Sequence, residues 1–86
     1  MTIRVARSRG ERTTFAVTVP ASAVPGAVRR NRLRRRISEQ LRLLVKSRRL
    51  SVPATVVVVG RNEAMTAAEI RDVLVMLLMK SGILQQ

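Results

Sequence analysis

The hydrophobic pattern predicts an α+β fold, a two-layer α/β sandwich with the order β-β-α-β-α, as a single domain over residues 1-86. Three observations predict it. Two short N-terminal segments alternate apolar and polar residues with a period of two. A β-branched run at 54–59 shows no such alternation. Two longer segments carry apolar residues at every third or fourth position.

From Thr2 to Arg7, Ile3 and Val5 fall on one side and Arg4 on the other, as in a half-buried strand. Ser8-Arg9-Gly10-Glu11 reads as a turn, and Thr13 to Val19 repeats the alternation with Phe15, Val17 and Val19 inward, so the two strands are expected to pair as an antiparallel hairpin. Pro20 and Pro25 remove backbone donors, which makes Pro20 to Gly26 a connecting loop. In Ala27 to Leu50 the residues Leu33, Ile37, Leu41 and Leu44 line one side of a helix, which is assigned to the core. Ser51-Val52-Pro53 ends it. Ala54 to Val59 is then expected to be the central strand, buried on both faces. After a loop at Gly60 to Ala64, Thr66 and Glu69 have capping-box spacing, and Gly82 is placed to end the second helix. Ile70, Val73, Leu74, Leu77 and Leu78 form its core stripe. Val75, Met76 and Met79 extend the apolar surface beyond what one small sheet covers, which raises the prospect of self-association through this helix.

The formal net charge is +12, with 17 Lys and Arg against 5 Asp and Glu. The whole of the excess precedes residue 51, and it peaks at Arg29-Arg30-Asn31-Arg32-Leu33-Arg34-Arg35-Arg36. Such asymmetry points to a phosphate backbone as partner. With no Cys and no His, disulfides, the usual zinc sites, thiol nucleophiles and histidine-based catalysis are excluded, and no residue is assigned a catalytic or metal-binding role. Phe15 is the single aromatic residue, too little for a platform of stacked bases, so RNA contact must be mainly electrostatic. The longest apolar run, Val73 to Met79, is far short of the roughly 18 residues that span a bilayer, and the N-terminus lacks a signal-like apolar stretch; a cytoplasmic location is expected.

On the predicted helix Arg29, Arg32 and Arg36 lie together at i, i+3 and i+7, and Arg30 and Arg34 form a second row. Their mutual repulsion costs a few tenths of a kcal/mol per pair, which a polyanion would remove. Each arginine, taken singly, also fits a solvated helix face. Of Arg34, Arg35 and Arg36 one must turn toward the domain body, and Arg34 and Arg35 are the two expected to reach RNA.

The run Ala27-Val28-Arg29-Arg30-Asn31-Arg32-Leu33-Arg34-Arg35-Arg36-Ile37-Ser38-Glu39 resembles the signature helix of the bacterial ribonuclease P protein subunit, where Arg-Asn-Arg is followed by an apolar residue and two basic ones. The likeness continues in Val17-Thr18-Val19, in Thr55-Val56-Val57-Val58-Val59-Gly60-Arg61 and in Thr66-Ala67-Ala68-Glu69-Ile70, and covers about four fifths of the chain. It implies a ribosomal-protein-like fold with a left-handed βαβ crossover, against the usual handedness. It also implies two RNA partners, the catalytic RNA of ribonuclease P and precursor tRNA, and no membrane. Catalysis would belong to the RNA subunit, with Mg2+ held mainly by RNA. Arg29, Arg30, Asn31, Arg32, Arg34, Arg35 and Arg36 become the expected RNA-binding residues, and Phe15, Val17 and Arg61 the expected lining of a cleft for the 5′ leader. Three departures stand out. Members usually begin with a further N-terminal helix, whereas this chain starts at the strand that would follow it. A lysine pair common in the family is matched by Ser22 and Ala23. The last helix carries Val75, Met76 and Met79 where charged residues are commoner.

Two other functional classes compete. A non-catalytic RNA-binding or ribosome-associated protein would use the same helix outside tRNA processing. A membrane-surface protein would need Trp or Phe beside the basic face, and the helix has neither.

Overall fold

The computed structural model describes residues 1–7, 13–47 and 54–84, in which β1 (Thr2–Arg7), β2 (Thr14–Thr18), α1 (Ala27–Ser47), β3 (Ala54–Val59) and α2 (Ala67–Lys80) follow in the expected order. The turn expected at 8–11 and the helix break at 51–53 lie outside the described residues, as does the predicted helix beyond residue 47.

The three strands form one sheet in the order β1-β3-β2. β1 runs antiparallel to β3, with Thr2 opposite Val59 and Arg7 opposite Ala54, and β2 runs parallel to it, with Thr14 opposite Thr55 and Thr18 opposite Val59. The expected β1–β2 hairpin therefore does not form, because β3 lies between them. The most apolar strand takes the central place, where both of its edges are hydrogen-bonded. The Thr- and Arg-bearing strands become the edges, where polar side chains tolerate water. Gly60 extends the β2–β3 ladder by donating its N–H to the Thr18 carbonyl at 2.9 Å. α1 makes the crossover between these parallel neighbours.

The register puts Ile3, Val5, Phe15, Val17, Ala54, Val56 and Val58 on one face of the sheet and Thr2, Arg4, Ala16, Thr55 and Val57 on the other. Both helices cover the first face. Ala54, Val56 and Val58 are fully buried there with Leu33, Ile37, Leu41 and Leu44 of α1, Ile70, Leu74 and Leu78 of α2, and Val24, Ile83 and Leu84 from the connections. The opposite face of β3 carries exposed Thr55 and half-buried Val57 and Val59, so this strand is covered on one side only. Val5 is 40% exposed because β1 lies at the edge, where α2 barely reaches it. Val73 and Leu77 are half-buried at the margins of the α2 stripe. Val75 and Met79 pack against the core, which leaves Met76 as the exposed member of the apolar excess expected on α2.

Local signals set the helix ends. Thr66 accepts from the Glu69 N–H at 3.2 Å while the Glu69 carboxylate accepts from the Thr66 N–H at 3.2 Å, completing the capping box. At the other end Gly82, with φ +79°, lets the Ile83 N–H reach the Leu78 carbonyl at 3.0 Å and its own N–H reach that of Met79 at 3.1 Å. Gly60 is a glycine for a different reason: a Cβ there would stand 2.4 Å from Cδ1 of Ile37. Gly60→Ala is expected to destabilise the fold by about 1–3 kcal/mol through overpacking. Gly82→Ala meets open space and costs about 1 kcal/mol from its left-handed backbone. Denaturant titration of both variants measures the two effects separately.

Candidate nucleic-acid interface

With the Leu33–Ile37–Leu41–Leu44 stripe turned to the core, helical geometry sends the remaining positions of α1 to two flanks and an outer crest. Seven arginines and one lysine share that surface with a single acid, Glu39. The first turn holds no acid, so Arg29 and Arg30 stand at the positive end of the helix dipole. Anion binding is favoured there by both the side chains and the backbone.

On one flank, α1 and the edge strand β2 enclose a groove in two segments that share Val17. In one, of about 460 Å³, Arg30, Asn31 and Arg34 face Val17, Thr18 and Val19. In the other, of about 550 Å³, Ser38, Leu41, Arg42, Val45 and Lys46 face Phe15 and Val17. Phe15 and Val17 are half-buried and packed on the core, so they give the groove an apolar floor beneath a wall of cations. Ser38, Arg42 and Lys46 are additions to the sequence-predicted set, found by extending the Arg30–Arg34 row in steps of four along the same helix. Arg61, expected to line this cleft, is exposed just beyond β3 and borders neither segment. Ser22 is exposed and Ala23 half-buried in the loop before α1, where neither contributes a cation.

The arginines are not equivalent. Arg36 turns inward and donates from Nη1 to the Met65 carbonyl at 2.9 Å and the Glu63 carbonyl at 3.3 Å, bracing the β3–α2 loop against α1. Arg30 reaches the Val24 carbonyl at 3.3 Å, which holds the loop before the helix. Arg29 forms a two-point ion pair with Glu63, its Nε donating to Oε2 at 2.9 Å and its Nη2 to Oε1. Arg34 donates to the Asn31 amide oxygen on its own helix. Arg32 and Arg35 are exposed and make no hydrogen bond or ion pair among the described residues. Arg42 pairs with Glu39 one turn back, through Nη2 at 2.6 Å and Nε at 3.4 Å. That hydrogen bond first, and the Arg42 charge second, hold the Glu39 carboxyl below its ordinary value of 4.5.

These guanidinium groups can bond phosphate oxygens in pairs, and the groove can hold a narrow chain against its apolar floor. Among the described residues no three His, Cys, Asp or Glu side chains converge on a metal position, and no helix is long and apolar enough to cross a membrane.

Arg36→Ala is expected to lower stability by about 1–3 kcal/mol, since two loop carbonyls lose their donor. Arg35→Ala should stay within about 0.5 kcal/mol of the wild type. Urea titration compares them. The Glu39–Arg42 pair is formed by a depressed carboxyl, so its contribution is present above pH 4.5 and is lost as pH falls through the lower folded-state value. Any stability difference between the wild type and Glu39→Gln should therefore vanish in acid, which unfolding titrations on either side of pH 4.5 would register.

A profile of the Ribonuclease P family matches residues 1–82. The solved structure of the Staphylococcus aureus RNase P protein superposes with a TM-score of 0.77, covering 96% of this chain and 75% of that one at 20% identity, and so shares its fold. Comparison with curated protein sequences yields no match. The family match favours a role in tRNA processing over an unrelated ribosome-associated one. The chain that carries this Arg-Asn-Arg helix beside an apolar-floored groove belongs to the Ribonuclease P family, as an RNA-binding protein subunit of that ribonucleoprotein.

Proposed function

We propose that the chain is a single RNA-binding domain that docks on the catalytic RNA through the outer arginines of α1 and receives the 5′ leader of precursor tRNA in the groove between α1 and β2. The carrying observation is that Val17 joins a segment walled by Arg30, Asn31 and Arg34 to one floored by Phe15. A single strand laid there would place phosphates on the wall and one base against the ring. Arg61, at the C-terminal end of β3, would contact RNA outside the groove.

Hydrolysis of the leader phosphodiester is assigned to the RNA subunit. The carboxylate on α1, Glu39, is taken up by Arg42, and the guanidinium, amide and hydroxyl groups around it do not serve as a general base at neutral pH. One carboxylate already bonded to a guanidinium, among eight cations, does not fit Mg2+, which takes several oxygen ligands. The ion therefore belongs with RNA phosphates. What the protein supplies is positive charge beside a polyanion, which offsets part of the repulsion between RNA subunit and substrate. The setting is cytoplasmic, where precursor tRNA is made. Self-association through α2 would rest on Met76, and a monomer in light scattering at high concentration would remove it.

Single-turnover cleavage of precursor tRNA by a bacterial ribonuclease P RNA at limiting Mg2+ tests the reading. The protein should raise the rate. Tight RNA binding without stimulation would overturn the leader role and leave the RNA anchor. Arg32→Ala and Arg34→Ala, which remove no hydrogen bond between α1 and the rest of the described residues, should each weaken binding to that RNA by about 1–2 kcal/mol and flatten the dependence of log K on log salt by about 0.9. Unchanged affinity in both would sink the assignment of α1.

A further inference from the structure

On the flank of α1 opposite the groove, a small concavity of about 110 Å³ is lined by Arg29, Arg32, Leu33, Arg36 and Glu63. Three arginines and one glutamate thus line the same hollow. Their roles differ: Arg29 grips the Glu63 side chain at two points, Arg36 is spent on the backbone of the same loop, and Arg32 has no partner among the described residues. The carboxylate is about the size and charge of one phosphodiester oxygen pair, and it sits where an RNA phosphate would be drawn. Of the five acids in the chain, this one reaches 34 residues back in sequence to an arginine of α1.

Resting on the reading of α1 as an RNA surface, we infer that Glu63 is an internal occupant of a phosphate site, which RNA claims by exchanging a backbone phosphate for the Glu63 carboxylate on Arg29. Arg32 makes the first contact because no described residue occupies its donors. Arg29 then trades one anion for another, so it contributes less net affinity than its charge suggests. Both partners are substantially exposed, at 53% and 38% of side-chain surface, and a pair that open to water is weak enough to be exchanged. Arg36 keeps the loop attached through its two carbonyl bonds after the carboxylate has left. Glu63 thereby limits binding to polyanions that can displace it.

The test is a double-mutant cycle on the full chain, using a bacterial ribonuclease P RNA as the probe across a salt series. Glu63→Gln should bind about two- to five-fold more tightly than the wild type, in keeping with the strength of an exposed ion pair, and should steepen the salt dependence. The gain should disappear in the Arg29→Ala background. Asp72→Asn, an equal change of charge on α2, should give a smaller gain that Arg29→Ala does not alter. Equal gains from Glu63→Gln with and without Arg29 would overturn the inference in favour of a general charge effect, and so would no gain at all. Glu63→Asp keeps the charge but shortens the reach. It should also tighten binding, which guards against a Glu63→Gln variant that folds poorly. Loss of affinity in Arg34→Ala, on the far flank, keeps the RNA reading standing whichever way the cycle falls.

Discussion

The burial of one apolar stripe, Leu33, Ile37, Leu41 and Leu44, in the core shared with β3 holds everything else in place. Without it, a helix bearing eight cations and one acid would gain little from forming in water. Repulsion between neighbouring arginines is worth a few tenths of a kcal/mol per pair, whereas each fully buried Leu or Ile contributes about 1.5–3 kcal/mol. Burial wins by a wide margin. The helix can therefore carry a charge density that its own sequence does not favour, and the rotation fixed by the stripe decides which arginine faces which neighbour.

That rotation divides a uniform-looking basic run into groups with different work. Arg36 and Arg29 are engaged by the β3–α2 loop, Arg30 braces the loop before the helix, and Arg32, Arg34 and Arg35 are turned outward. A count of positive charges would treat these positions alike. The geometry separates those that support the protein from those that can meet a polyanion at no cost to it.

Much of this was legible in advance because it depends on near neighbours. The α1 stripe, the Thr66–Glu69 box and the Gly82 terminator are written in spacings of three and four residues, and β1 and β3 were bounded by their own composition. What was not legible depends on distant partners. Nothing local says that β3 enters between β1 and β2, because Thr14 and Thr55 meet only in the folded sheet. The same holds for the close approach of Gly60 to Ile37 and for the Arg29–Glu63 pair. The groove was half visible: Phe15 and Val17 share a strand face that periodicity reveals, while Ser38, Arg42 and Lys46 join them only once α1 lies beside β2.

The central position of β3 also orders events during synthesis. β1 and β2 leave the ribosome first, yet neither has a strand to pair with until residues 54–59 follow. Every ladder in the sheet is thus a long-range closure, the kind that makes folding slow. Through that interval the nascent chain presents two unpaired strands and the arginines of α1 while the central strand of its sheet is still unmade. A cationic segment in this state is open to polyanions before its own last strand exists, so the charge that serves the folded domain is exposed before the fold that orients it.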